Sequence, residues 1–214
     1  MSIPETKQLK QWEGDFGKEY TDRNELTPES LDADYTSKYG ITRSELNSEF
    51  LAGIPKNARI LEVGCNVGNQ LSALQKAGWN DLWGVEIGDY ALEKARRQTT
   101  GINLVKSAAQ DLPFKNGFFD LVFTSGVLIH IGPEHLPQAL DEICRVSKRF
   151  VWGFEYYSEK REEINYRGNT DLLWKDDFKK AYLSRHPEFK LVKNRAVKYS
   201  ESENRDEMFL IEKK

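Results

Sequence analysis

Ile60-Leu61-Glu62-Val63-Gly64-Cys65-Asn66-Val67-Gly68 is the stretch on which the fold of this 214-residue chain turns. An apolar strand runs into a loop of small residues, and a helix is predicted over 67–77, closed by Gly78. Gly64 and Gly68 let the backbone turn sharply and let a ligand lie against it without a Cβ clash. A dinucleotide fingerprint would need glycines where Asn66 and Asn69 stand, and no Gly-Lys-Ser/Thr follows to make a P-loop. Glu62, just before the loop, suits a ligand with a positive amino group and a sulfonium. It does not suit a pyrophosphate held by bare amides. Glu86 ends the next predicted strand, Leu82-Trp83-Gly84-Val85-Glu86, where a carboxylate can accept both hydroxyls of a ribose. Either acid alone reads equally well as the cap of a strand end. Two acids at C-terminal strand ends with a glycine loop between them point to a ligand site.

Outward from this loop, strands are predicted over 59–63, 81–86, 102–106, 119–124 and 149–155, with helices over 67–77, 89–98 and 133–146 between them. This alternation predicts an α/β, doubly wound, Rossmann-like fold with a mostly parallel sheet. A helix over 175–185 and strands over 189–199 and 207–213 follow, and the polar turn between these strands makes a C-terminal antiparallel hairpin. The sheet is thus expected to have seven strands. Toward the N-terminus, Leu9, Trp12, Phe16 and Tyr20 recur at helical steps within 5–23. Thr27-Pro28 ahead of Glu29 reads as a helix start. Thr42-Arg43-Ser44-Glu45 reads as a capping box ahead of Leu46, Phe50 and Leu51. The expected organisation is a helical lid or cap over 1–53 and the α/β domain over 54–214, with an insertion near 155–174.

Composition narrows the function. A net charge of −3 gives no general attraction to nucleic acid or anionic membrane. There is no apolar run long enough to predict a transmembrane helix, and Met1-Ser2-Ile3-Pro4-Glu5-Thr6-Lys7 lacks the apolar core of a secretory signal. Cys65 and Cys144 offer neither a disulfide framework nor a metal cluster, and read as buried structural thiols. His130, His135 and His186 are not at metal-ligand spacing. A cytoplasmic protein without a metal is expected.

From about 58 to 155 the chain resembles the class I S-adenosylmethionine (SAM)-dependent methyltransferases. Glu62, Gly64 and Gly68 match the family's first motif, with Asn66 in place of its usual central glycine, and Glu86 matches its ribose-binding acid. Ala108-Ala109-Gln110-Asp111-Leu112-Pro113-Phe114 resembles the adenine-binding stretch without its usual acid at 108, which leaves backbone amides and Gln110 or Asp111 for the base. Phe118-Phe119-Asp120-Leu121-Val122-Phe123-Thr124-Ser125-Gly126 resembles the fourth motif. The resemblance implies SAM as cofactor, contacted by Glu62, Gly64, Cys65, Asn66, Gly68, Glu86, Ile87, Ala109, Gln110, Asp111, Ser125 and Gly126. A narrower resemblance runs through Trp12-Glu13-Gly14-Asp15-Phe16-Gly17-Lys18-Glu19-Tyr20, Gly126-Val127-Leu128-Ile129-His130-Ile131 and Tyr166-Arg167-Gly168-Asn169-Thr170-Asp171. It is to the pseudaminic acid biosynthesis-associated methylases, and implies carbohydrate or small-metabolite chemistry.

For the acceptor, a hydroxyl or carboxyl oxygen of a small polar molecule is expected. Methyl transfer from a sulfonium needs positioning first, and a base only when the acceptor must lose a proton. His130, just past the fourth strand, is the candidate base; it equally reads as a cap or packing residue there. The segment 155–174 carries Glu155, Tyr156, Arg167 and Asn169, which suit a polar or anionic acceptor, or form a solvated excursion with aromatic anchors. Tyr20, Arg23 and Asn24 suit a lid over the acceptor, or simple packing of an N-terminal helix. Two alternatives stand beside this. The local run of Lys175, Lys179, Lys180, Arg185, Lys190, Lys193, Arg195 and Lys198 would serve an RNA or protein methyltransferase, although such runs are usually solvated faces. A SAM-binding module without catalysis would carry the same motifs.

Overall fold

A computed structural model describes residues 6–214. The first five residues, which open the 1–53 segment and the stretch read against a secretory signal, lie outside the described residues. Seven strands form one sheet in the order β3-β2-β1-β4-β5-β9-β8. They are β1 (Arg59–Val63), β2 (Asp81–Glu86), β3 (Asn103–Lys106), β4 (Phe119–Ser125), β5 (Ser147–Tyr156), β8 (Phe189–Lys198) and β9 (Arg205–Lys213). β1 to β5 run parallel, while β9 pairs antiparallel with both β5 and β8. This is the α/β Rossmann-like sheet, mostly parallel with an antiparallel edge, that the alternation of elements predicts.

The chain winds outward from β1 in one direction and from β4 in the other. The carboxyl ends of β1 and β4 therefore flank the crevice where sheets of this kind bind ligands. Successive strand residues serve opposite faces, as the pleat requires. Leu61, Val122, Val151, Phe209 and Ile211 pack under α7 (Leu136–Val146) and α8 (Phe178–Arg185). Ile60, Leu121, Phe123, Trp152 and Leu210 pack under α3 (Pro28–Tyr39), α4 (Arg43–Leu51) and α5 (Asn69–Lys76). α6 (Asp89–Gln98) lies along β2 and β3. Part of the 1–53 segment thus shares the sheet's core, and only α1 (Lys7–Glu13) and α2 (Asp15–Arg23) stand outside it.

Several boundaries differ from the sequence reading for local reasons. The apolar rhythm of 5–23 breaks at Gly14, whose extended backbone separates α1 from α2. The two helices then meet so closely that a Cβ on Gly17 would lie 1.8 Å from the Trp12 carbonyl oxygen. The helix predicted over 133–146 begins only at Leu136, after a 3₁₀ turn Leu128–His130 and a further turn through Pro133. The helix predicted over 175–185 begins at Phe178, where Asp177 Oδ1 accepts the Lys180 amide at 2.8 Å. Just before it lies β7 (Trp174–Lys175), which pairs with β6 (Glu162–Glu163) and makes the 155–174 insertion a small antiparallel hairpin. At the far edge of the main sheet, β8 carries a register shift between Leu191 and Lys193, with Leu191 and Val192 exposed. Among the described residues no helix is long and apolar enough to cross a membrane.

Candidate active site

A cavity of about 720 Å³ lies over the carboxyl ends of β1, β2, β4 and β5, within the range that holds small-molecule ligands. Its inner wall is the loop after β1. Gly64 stands at φ 74°, and a Cβ there would come within 2.6 Å of Val127, so the loop can approach the turn after β4 only with glycine. Glu86 braces the loop: Oε2 accepts the Asn66 amide at 2.9 Å, and Oε1 accepts the Ile87 and Gly88 amides at 2.8 and 2.9 Å. Burial raises the Glu86 pKa, and the same three amides oppose the rise. Glu62 is buried, 2% exposed, and among the described residues its Oε2 has no hydrogen-bond partner. Burial pushes the Glu62 carboxyl well up, while the charge of Arg43 pulls it down. A buried acceptor in this condition suits a cationic donor.

α1 and α2 form the roof, held by polar and aromatic contacts. Buried Thr21 donates to Asn66 Oδ1 at 3.1 Å. Asn69 donates to the Asn24 carbonyl at 2.6 Å and accepts the Leu26 amide at 3.3 Å. The two asparagines that break the dinucleotide pattern are therefore the residues that fasten the roof to the loop. Lys94 of α6 reaches Asp22 and Glu25, both at 2.7 Å. Gln8 Nε2 donates to the Asp171 carbonyl at 3.2 Å, and Lys7 pairs with the Asp171 carboxylate at 3.1 Å, tying α1 to the 155–174 hairpin. Trp12 packs on Phe16, Tyr20 and His130, with centroids 5.3, 5.2 and 4.5 Å apart.

His130 sits where the roof, the hairpin and the turn after β4 meet. Its Nδ1 lies 2.7 Å from the Leu172 carbonyl, and its ring faces Tyr166 at 5.5 Å. A carbonyl can only accept, so Nδ1 carries the proton and Nε2 keeps its lone pair. Burial lowers the His130 pKa to about 4, against a smaller raising effect of the Leu172 carbonyl.

The cavity continues past β4 into a lobe lined by Tyr35, Tyr39, Phe154, Tyr156, Tyr199 and Asp206. Tyr39 and Tyr199 rings lie 4.9 Å apart, and Tyr35 and Tyr39 5.2 Å apart. Tyr39 donates to Asp206 Oδ2 at 2.5 Å, and Tyr199 donates to the same carboxylate. Burial raises the Asp206 pKa, opposed by these two phenols. Sequence reasoning missed this lobe. Tyr35 and Tyr39 share a helix face by their spacing, but Asp206 falls in what reads as a polar turn.

Of the expected cofactor residues, Glu62, Gly64, Cys65, Asn66, Glu86, Ile87, Ala109, Gln110, Ser125 and Gly126 line the cavity. Gln110 is buried with its Oε1 unpartnered, whereas Asp111 is exposed and lies outside the lining. Gly68 also stays outside, shaping the start of α5 at φ 83°. Tyr20, Arg23, Asn24, Tyr156 and Arg167 of the expected acceptor residues line it. Glu155 does not. Its buried carboxylate accepts the Val127 amide at 3.1 Å and holds the turn after β4, and burial pushes it up to about 7. Asn169 is engaged in the hairpin turn, pairing with Tyr166. Among the described residues no group of three or more His, Cys, Asp or Glu could hold a metal ion.

Residues 61–150 match a family model described as a methyltransferase domain. An uncharacterised methyltransferase of Synechocystis sp. (strain ATCC 27184 / PCC 6803 / Kazusa) is 30% identical over 95 residues, 44% of this chain and 44% of that one. The chain spans less than half the length of the curated relatives it matches. The 1,6-didemethyltoxoflavin-N1-methyltransferase of Burkholderia thailandensis, crystallised with 1,6-didemethyltoxoflavin and S-adenosylhomocysteine, has a TM-score of 0.71 at 15% identity. It covers 100% of this chain and 93% of that one. Magnesium protoporphyrin IX methyltransferase of Synechocystis PCC 6803, with bound S-adenosylhomocysteine, has a TM-score of 0.70 at 12% identity, covering 96% and 98%. These two likenesses are of fold. The match to the methyltransferase-domain model covers residues 61–150, which hold the glycine loop, Glu62, Glu86 and the turn after β4.

Proposed function

We propose, from that domain as premise, that the whole protein methylates a hydroxyl or carboxyl oxygen of a small polar molecule, a sugar or related metabolite. The observation that carries this reading is the lobe beyond the cofactor residues, where Tyr39, Tyr199 and Asp206 line the same cavity that α1 and α2 also line. A chamber lined in this way suits a small acceptor that is enclosed. The local basic run supports the same reading. Lys179 pairs with Glu207, Arg185 with Asp141, Lys190 with Glu212, and Lys193 and Arg195 with Glu49, so much of its charge is answered within the chain. The resemblance to the pseudaminic acid-associated methylases favours carbohydrate chemistry.

The residues present fit the cofactor. The unpartnered Glu62 Oε2 would hold its ammonium, Glu86 its ribose hydroxyls, and the unpartnered Gln110 Oε1 the adenine amino group. When bound, SAM supplies a methyl group already activated on a sulfonium. The chain then has to exclude water and orient the acceptor. α1 and α2 act as the lid, with Tyr20, Arg23 and Asn24 facing inward. Arg167, at the rim, would meet an acidic group on the acceptor. His130 offers the Nε2 lone pair to a hydroxyl. With a pKa near 4 it orients that hydroxyl more readily than it removes its proton. A carboxylate acceptor needs no base at all.

Calorimetric titration with S-adenosylhomocysteine, followed by a methyl-transfer screen of sugars and carboxylic acids, tests this. Glu86→Ala should weaken binding roughly 10- to 100-fold, the size of losing hydrogen bonds to a charged group. No binding to folded wild type would remove the cofactor assignment. Binding without turnover on any acceptor of these classes would leave a SAM-binding module.

A further inference from the structure

Three parts of the chain meet in the lobe past β4. Tyr39 is the last residue of α3, which closes at Gly40 with φ 68°. Tyr199 follows β8, and the Ser200 amide donates to the Lys38 carbonyl at 2.7 Å, fastening the β8–β9 turn to the end of α3. Asp206 is the second residue of β9 and pairs in register with Tyr156 of β5. Strand side chains alternate between faces, so Asp206 shares the face of Met208 and Leu210, which pack under α3 and α4. A carboxylate thus stands where the apolar run of that face ends, and it is only 5% exposed.

Burying a carboxylate is costly unless it is bonded and its charge is answered. Tyr39 and Tyr199 donate to Asp206, which fills two of its roughly four acceptor positions. Lys38 and Arg43 attract it from farther off. Lys38 forms its ion pair with Asp34, at 2.7 Å. Arg43, fully buried, also attracts buried Glu62, so one guanidinium serves two buried acids of the same cavity. Chain cations already rest on three rings of the lobe. Arg43 lies 5.3 and 5.2 Å from the Tyr35 and Phe154 centroids, and Lys175 lies 4.2 Å from that of Tyr156. Among the described residues no cation lies over Tyr39 or Tyr199, the two rings that hold Asp206.

We propose that this lobe binds a primary ammonium group carried by the methyl acceptor, with Asp206 as its counter-ion and the Tyr39 and Tyr199 rings as its walls. The inference rests on the function proposed above and narrows its acceptors to those that bear an amine. A neutral hydroxyl could fill the remaining acceptor positions of Asp206 but would leave its charge where it is. An ammonium brings both the donors and the charge, and ring faces attract it. The cofactor does not serve here, because its own ammonium is assigned to Glu62.

The test titrates ethanolamine hydrochloride against ethylene glycol by NMR, with sodium chloride as the ionic control and S-adenosylhomocysteine present to engage Glu62. Wild type is compared with Asp206→Asn and Tyr199→Leu, whose folds are checked by thermal melts; the wild-type comparison of amine with glycol needs no variant. Wild type should bind the amine roughly 10- to 100-fold more tightly than the glycol, the size of a charge-assisted hydrogen bond. Asp206→Asn should abolish that preference, and Tyr199→Leu should reduce it roughly 2- to 5-fold. In the methyl-transfer screen, glucosamine should be a better acceptor than glucose. Equal binding of amine and glycol, binding of neither, or a preference that survives Asp206→Asn overturns the subsite. Methylation of neutral sugars with no preference for amines also overturns it and leaves the proposed function standing. Failure of S-adenosylhomocysteine to bind wild type overturns the cofactor assignment instead, and the amine's dependence on Asp206 still decides the subsite.

Discussion

The sheet and its roof are held together by different forces. In the sheet, Phe123, Trp152, Phe209 and Ile211 are essentially buried and pack helices on both faces through apolar contact. In the roof, the buried residues of α1 and α2 are Gln8, Gly17 and Thr21, and the fastenings are hydrogen bonds, ion pairs and the partly buried Trp12. Apolar burial is non-directional and contributes in proportion to area, so the sheet sets the stability of the whole. Polar fastenings are individually weak and reversible, which suits the lid role proposed above for α1 and α2. On that proposal, stability and access are assigned to separate regions.

Four substitutions or conditions would break or sharpen that division. The largest effect is expected from Phe123→Ala, which should cost about 3–5 kcal/mol in urea unfolding, the usual figure for emptying a core aromatic site. The surviving folded fraction should bind S-adenosylhomocysteine as wild type does. Trp12→Ala should cost less than about 2 kcal/mol, since its site is only half closed. It should raise the S-adenosylhomocysteine dissociation rate roughly tenfold in stopped flow and speed amide exchange in α1 and α2. Equal losses of global stability in the two variants would erase the distinction.

Acidification should act through two buried groups with opposite signs. His130 titrates near 4 when folded against 6.5 for the free side chain, so the unfolded chain takes up a proton that the folded chain refuses. Its contribution therefore falls as pH drops from 6.5 to 4. Glu155, raised from 4.5 to about 7, keeps its proton longer when folded, so its contribution falls as pH rises from 4.5 to 7. Urea midpoints of His130→Phe should, relative to wild type, improve on acidification across 6.5 to 4. Those of Glu155→Gln should improve on alkalinisation across 4.5 to 7. The smallest effect should come from Lys94→Ala. It releases Asp22 and Glu25, and should quicken exchange in α2 at low salt, with the difference from wild type shrinking at 1 M salt.

The same division explains what could be read from the sequence. Each strand of the sheet announces itself by apolar residues serving two faces, and Glu62 and Glu86 stand out because an acid at the end of such a strand needs a reason. The roof has only a helical rhythm, which does not show the break at Gly14 or which residues reach the glycine loop. Arg43 was hidden because the second residue of a capping box ordinarily faces water. Only tertiary packing turns it against Trp152 and Phe154. The hairpin in 155–174 was hidden because its tight turn, with Arg167 at φ 52° and Gly168 at φ 81°, lacks the usual Asn-Gly signature. The choice between Gln110 and Asp111 needed coordinates, since adjacent residues point to opposite sides.

The outer strand β8 has a consequence of its own. A strand at the end of a sheet offers unpaired amides and carbonyls to any other chain that can add to it. Here that offer is narrowed by the register shift between Leu191 and Lys193, and by long basic side chains along the strand whose partners, Glu212 and Glu49, lie within the chain. A second molecule approaching edge to edge would meet a mismatched ladder. The two exposed apolar residues of the strand, Leu191 and Val192, sit at that irregularity, where a regular ladder cannot continue.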